Sequence, residues 1–188
     1  MTDASSRIPN WGVALLAAVC LGVFLWMLFG YILPFSDLTH TTMLEARLGR
    51  YTSGDIDAMR GLLERRPDAR DLLVAMHRGP ELILPLVLAG LLFAVLLKLR
   101  FAGRFFNRPM HPCLIVAVYA LPFIYGFSDY LENILTINLF GGGPEWSVSE
   151  AILPWASSVK FTSFTICLIV ILRFAVYRLV PPVDRDTV

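Results

Sequence analysis

Three polar side chains stand close together in an otherwise apolar part of the sequence. Asp129, Glu132 and Asn133 lie in SDYLENILT, near the end of a hydrophobic run that begins around Cys113. Residues three and four apart share one face of a helix, so Asp129 lies over both Glu132 and Asn133. Neighbouring carboxylates that differ in protonation can act as general acid and general base, and ionised carboxylates also accept hydrogen bonds from a cation. The segment is therefore a candidate site for proton transfer or for recognition.

A lysine in the last apolar segment is the predicted counter-charge. Lys160 lies about six residues into that segment, which is a depth of roughly 9 Å at about 1.5 Å per residue. Glu132 lies about seven residues, or roughly 10 Å, from the outer end of its own segment. An unpaired charge in the bilayer costs on the order of 3 kcal/mol, so we predict that Lys160 pairs with the carboxylates. Ser157 and Ser163 share the lysine's face and are expected to complete its hydrogen bonds.

This group of Asp129, Glu132, Asn133 and Lys160, called the polar cluster below, has three interpretations. It is an ion-paired network that fixes the packing of helices. Alternatively it recognises a lipid headgroup, a cation or a partner membrane protein, because ionisable groups inside a membrane are candidates for function. In the third interpretation the protein is an enzyme that acts on a lipid, with Asp129 or Glu132 as general acid or base, but no nucleophile motif or phosphate loop supports it. We therefore predict a non-catalytic binding or assembly component, without a cofactor or a nucleic-acid partner.

A second group of ionisable residues precedes the second apolar segment, in HRGPELILP. His77, Arg78 and Glu81 lie at its outer boundary, and they extend the polar cluster if the helices pack as one bundle. His40, His77 and Glu81 are also metal-ligand types, but their irregular spacing matches no zinc motif. The sequence therefore predicts no metal site.

Long apolar segments place the chain among integral membrane proteins. Hydrophobic residues make up 56% of its 188 residues and charged residues 16%, below the quarter or so that is typical of soluble domains. Four segments reach the roughly 20 residues that a membrane-spanning helix needs. They predict an all-α bundle of four transmembrane helices forming a single membrane domain over residues 1–188, with spans at about 11–33, 81–99, 112–139 and 154–177.

The link between the first two spans, residues 35–80, is predicted to be helical. DIDAMRGLLERR and PDARDLLVAMHR each carry apolar residues on one helical face. Ser53 and Asp55 are candidate caps of the first of these helices, and Pro67 begins the second. A shorter pattern, TTMLEARLG, precedes both. We expect two or three short amphipathic helices, which either cover the end of the bundle as a lid or lie among the lipid headgroups.

The distribution of lysine and arginine predicts the orientation. The link KLRFAGRFFNR between the second and third spans is basic and contains no acid, whereas GGGPEWSVSE between the third and fourth contains two acids and no base. The basic link and both termini are therefore predicted to be cytoplasmic. The helical link 35–80 and the glycine-rich link are predicted to be extracytoplasmic.

The chain resembles a class of uncharacterised bacterial four-helix integral membrane proteins. Members share a Tyr-Thr/Ser start to a helical external loop, an acid four residues before a proline, D-x-x-E-N in the third span and an early lysine in the fourth. The corresponding positions here are Tyr51–Ser53, Glu81 with Pro85, Asp129 to Asn133, and Lys160. The resemblance covers most of the chain and implies a multi-pass protein of the bacterial inner membrane. This class has no known activity, so the resemblance implies no reaction.

Overall fold

The computed structural model describes residues 9–44, 52–99, 104–105, 108–109, 111–142 and 148–179, which form an all-α bundle with four helices able to span a membrane. Besides the helices, the described ranges contain one antiparallel pair of two-residue strands. The helices and strands are α1 (Asn10–Met27), α2 (Leu33–Thr39), α3 (Ser53–Arg65), α4 (Pro67–Arg78), α5 (Pro80–Lys98), β1 (Arg104–Phe105), β2 (Arg108–Pro109), α6 (Pro112–Phe140) and α7 (Ser149–Leu179).

The first membrane helix continues beyond its predicted end. α1 runs through a π-helical segment, Leu28–Ile32, directly into α2. Pro34 has no N–H to donate to the carbonyl four residues earlier, and a local π-helical turn accommodates such a break. The loop predicted from residue 35 therefore begins as helix. The chain leaves the helix at His40, which adopts a left-handed conformation with φ 54°.

The two helices between the first two spans cover one end of the bundle, which we call the capped end. Ile56 and Met59 of α3 and Leu73 of α4 are buried in one hydrophobic core with the ends of α6 and α7. Arg60 of α3 pairs with Glu150 at the start of α7. Of the two predicted arrangements, α3 and α4 therefore adopt the one in which they cover the end of the bundle as a lid. The residues after Leu44 in the shorter amphipathic pattern lie outside the described part of the chain.

The cap of α3 differs from the predicted one. Thr52 Oγ1 accepts a hydrogen bond from the Asp55 amide, and Asp55 Oδ2 accepts one from the Thr52 amide at 2.8 Å. This reciprocal pair is a capping box, and it makes Thr52 the N-cap while Ser53 is the first helical residue. α7 begins at Ser149, five residues before the predicted start of the fourth span.

A second hydrophobic core lies between α5, α6 and α7, further from the capped end. It contains Leu92 and Leu96 of α5, Val118 of α6 and Cys167 of α7. α6 and α7 form the most extensive helix pair, which agrees with their short connection, while α1 packs mainly against α5. The polar cluster lies between this core and the hydrophobic core at the capped end.

Candidate functional site

Lys160 of α7 joins the two carboxylates of α6. Its Nζ lies 3.1 Å from Asp129 Oδ1 and also contacts Glu132 Oε2. The lysine side chain is 13% exposed, that of Asp129 10% and that of Glu132 1%. Because α6 and α7 are antiparallel neighbours and these three residues lie at similar depths, they meet as predicted. The arrangement is a buried ion network, whose members are costly to separate.

A tyrosine completes the surroundings of Asp129. The Tyr125 hydroxyl donates to Asp129 Oδ2 at 2.9 Å, so each carboxylate oxygen has a donor. The Tyr125 ring packs against Phe164 of α7, with 5.5 Å between ring centroids. Tyr125 is not among the predicted site residues. Its position four residues before Asp129, on the same helical face, is the signal that identifies it.

Asn133 belongs to a different contact from the one predicted. Its Nδ2 donates to the backbone carbonyl of Glu81 at 3.0 Å. Pro85, four residues later in α5, has no N–H, so it leaves that carbonyl without its helical donor. Asn133 replaces the missing donor from the neighbouring helix, as polar side chains do around prolines in membrane helices. Its contact therefore joins α6 to the start of α5, and the amide oxygen Oδ1 has no hydrogen-bond partner.

The predicted extension of the cluster is present in part. His77 is fully buried, and its Nδ1 lies 2.7 Å from the Leu73 carbonyl, so this nitrogen must be the donor. Its Nε2 lies 3.3 Å from Glu81 Oε2, so the two side chains form an ion pair when the imidazole is protonated. Arg78 is exposed, whereas His77 and Glu81 are buried. The extension therefore consists of His77 and Glu81 without Arg78.

The expectation that two serines bond Lys160 is wrong. Ser163 Oγ lies 2.8 Å from the Val159 carbonyl and 3.0 Å from the Lys160 carbonyl, so it is satisfied by its own helix. Ser157 is 3% exposed and its Oγ has no hydrogen-bond partner. Serine on a helix readily donates to a carbonyl one turn earlier, and this local option competes with bonding across helices.

A cavity of about 290 Å³ lies beside the polar cluster, between the two hydrophobic cores. Its charged wall consists of Glu81, Asp129 and Lys160, whereas Glu132 does not line it. Phe24, which is 43% exposed on α1, forms part of the rim, so the cavity reaches the lipid-facing surface. The remaining lining residues, including the Tyr125 ring, are mainly apolar: Met27, Ile32, Met43, Met76, Leu84, Pro85, Leu88, Tyr125, Phe161 and Phe164.

The cavity combines a long apolar wall with a compact polar end. Such a surface suits a molecule that is apolar along most of its length and polar at one end. Within the described ranges, no group of three or more His, Cys, Asp or Glu residues is arranged to hold a metal ion. In comparisons with known proteins, no family model matches the chain, and neither a curated protein nor a solved structure matches it.

Proposed function

We propose that this membrane protein binds an amphipathic molecule in the cavity, with the polar end of that molecule beside the polar cluster. The observation that carries the proposal is the lining of the cavity, in which Glu81, Asp129 and Lys160 form the polar end of an otherwise mainly apolar wall. Small-molecule sites in proteins have volumes of about 300–1,000 Å³ and combine apolar walls with a few placed polar groups. The cavity is at the small end of this range, which fits one headgroup or one short chain.

The energetics of an empty cavity support an occupant. Apolar walls that face unfilled space lack the dispersion contacts that a packed neighbour would give them. A bilayer offers apolar chains at high concentration next to the Phe24 rim. Filling the cavity from the lipid phase would recover much of this loss.

The burial of the cluster favours a small ligand over a protein partner. The side chains of Lys160, Asp129 and Glu132 are at most 13% exposed, so the helix of another membrane protein has no access to them. A headgroup or chain can enter where a helix cannot. Assembly with a partner membrane protein would have to use a surface other than the polar cluster.

Enzymatic action on a lipid is the second candidate, and one observation bears on it. Asp129 lines the cavity and Glu132 does not, so of these two carboxylates Asp129 is the one placed to act on the occupant as general acid or base. Asp129 already accepts bonds from Lys160 and Tyr125. If incubation of the purified protein with bilayer lipids yields a modified lipid that Asp129→Asn does not produce, the enzymatic alternative replaces simple binding.

Filling the cavity should displace its occupant. Leu84→Trp places a larger side chain at the cavity wall, whereas Leu86→Trp lies on the same helix at a position that is 67% exposed to lipid. We expect native mass spectrometry of protein purified in mild detergent to show a bound amphiphile in the wild type and in Leu86→Trp, and little or none in Leu84→Trp. Equal occupancy in both variants would contradict the proposal, as would a wild type that carries no bound molecule.

We also propose a plasma-membrane location, the inner membrane in a bacterium, with both termini in the cytoplasm. The basic link between α5 and α6 supports this orientation. In a chain with Cys20 and Cys167 replaced by alanine, Arg66→Cys, at the exposed residue between α3 and α4, should react with a membrane-impermeant maleimide in intact cells. The native Cys113, exposed at the other end of the bundle, should react only after the membrane is opened. The reverse pattern would refute the orientation.

A further inference from the structure

The polar end of the cavity carries more acid than base. Glu81 Oε2 lies 3.3 Å from His77 Nε2, so an ionised Glu81 is neutralised when His77 is protonated and adds a negative charge when His77 is neutral. Lys160 carries one positive charge and stands between two carboxylates, those of Asp129 and Glu132. With these carboxylates ionised, the described residues around the cavity therefore leave at least one negative charge in excess. This excess selects the charge of an occupant, and the inference rests on the proposed function.

An anionic headgroup fits this arrangement poorly. Lys160 is the one cationic side chain in the described cavity lining, and its ammonium is already divided between Asp129 and Glu132. A phosphate or carboxylate brought to it would displace one of them and would meet the repulsion of both. Like charges placed together in a site of low dielectric are a strong element of discrimination.

A cationic headgroup finds several favourable contacts. Each oxygen of Asp129 has one donor, and a carboxylate can accept about four hydrogen bonds, so Asp129 can accept more from the cavity side. An ammonium group supplies three donors. Four aromatic rings also line the cavity, those of Phe24, Tyr125, Phe161 and Phe164. Cations are attracted to the faces of aromatic rings, and aromatic cages are a recurring means of binding ammonium groups.

We propose that the occupant is an amphiphile whose polar end is a protonated amine. The ammonium group donates to Asp129 among the aromatic rings, and the apolar chain lies along Leu84 and Leu88 toward the lipid-facing rim. A free long-chain amine and the amine of an aminophospholipid headgroup share this chemistry. The two sources differ because the amine of the aminophospholipid is accompanied by a phosphate, whereas the free amine is not.

The selectivity of the wild-type protein is the first test. Dodecylamine, dodecanol, dodecyl phosphate and lysophosphatidylethanolamine are titrated into the protein in mild detergent, and bound ligand is counted by native mass spectrometry. We expect dodecylamine to bind about tenfold or more tightly than dodecanol, which corresponds to one charge-assisted hydrogen bond. Dodecyl phosphate should bind no better than the alcohol. Binding of the lysophospholipid as tight as that of dodecylamine would identify the headgroup as the source, whereas weak binding would identify the free amine.

Substitutions test whether Asp129 and the aromatic rings produce this selectivity. Asp129→Asn should reduce the affinity for dodecylamine to that for dodecanol. Asp57→Asn, on the exposed face of α3, is the control and should change neither affinity. Phe164→Leu keeps the wall apolar and removes one ring. It should therefore lower the affinity for dodecylamine several-fold and leave the affinity for dodecanol unchanged. This variant provides the test if Asp129→Asn does not fold.

The outcomes separate the two proposals. If the amine and the alcohol bind equally, and Leu84→Trp abolishes both, the cavity binds amphiphiles and the amine proposal is overturned. Tighter binding of dodecyl phosphate would also overturn it. If none of the four probes binds and Leu84→Trp changes nothing, the proposed function fails together with this inference.

Discussion

Lys160→Met is expected to destabilise the folded bundle by about 3–5 kcal/mol, the cost of leaving a buried charge without its partner. The lysine contacts both Asp129 and Glu132, and Glu132 is 1% exposed, so bulk water does not replace the lysine at that carboxylate. Thermal unfolding in mild detergent, read as the fraction of monodisperse protein after heating, measures the loss. Lys98→Met is the matched control, because Lys98 contacts Asn10 at an exposed helix end. An exposed interaction of this kind contributes about 1 kcal/mol or less.

The double variant Glu132→Gln with Lys160→Met should be more stable than Lys160→Met alone. Removing the more deeply buried carboxylate leaves Asp129, which keeps the Tyr125 hydroxyl as a donor and faces the cavity. The recovered stability measures the coupling between the two residues. A double variant that is no more stable than Lys160→Met would show that the ion network does not hold the helices together.

Gly126→Leu is expected to separate α5 from α6. A Cβ atom at this position would lie 3.4 Å from Ala89 Cβ and 3.7 Å from the Pro85 carbonyl, so the first carbon fits but a full leucine does not. Overpacking of this kind costs about 1–3 kcal/mol or more. Pro85 and Tyr125 line the cavity beside this contact, so the variant should lose its bound amphiphile as well as thermal stability.

Gly90→Leu is the control for this substitution. Gly90 lies five residues after Pro85 on α5, and a Cβ there meets no atom within 4 Å. The same leucine should therefore leave both the unfolding temperature and the bound amphiphile near wild-type values. If the two glycine variants lose stability equally, the close approach of α5 and α6 at Gly126 does not contribute to the fold.

Much of this architecture follows from the solvent that the chain must occupy. A bilayer leaves backbone polar groups no water to bond, a long helix satisfies them internally, and four apolar segments of the required length therefore predict four spans. It also penalises unpaired charges, so two carboxylates and one lysine at matched depth predict an ion network. Both predictions depend on properties that are read along the chain, namely length, helical spacing and depth.

Other features depend on contacts between residues that are far apart in the sequence. Asn133 donates to the Glu81 carbonyl because α5 and α6 cross where Pro85 breaks the helical hydrogen-bond pattern. Neither residue reveals this pairing alone. Ser157 and Ser163 share the face of Lys160, yet neither bonds its ammonium, because hydrogen bonds depend on distances that helical spacing does not specify.

The sequence by itself determined the class of protein, the four spans and the meeting of Lys160 with Asp129 and Glu132. Only the tertiary structure decided that α3 and α4 cover the end of the bundle and that a cavity lies beneath them, lined by Glu81 and Asp129. The physical reason is that hydropathy and spacing act along one helix at a time. A cavity is the volume left between several helices, and it depends on how their side chains fill space together.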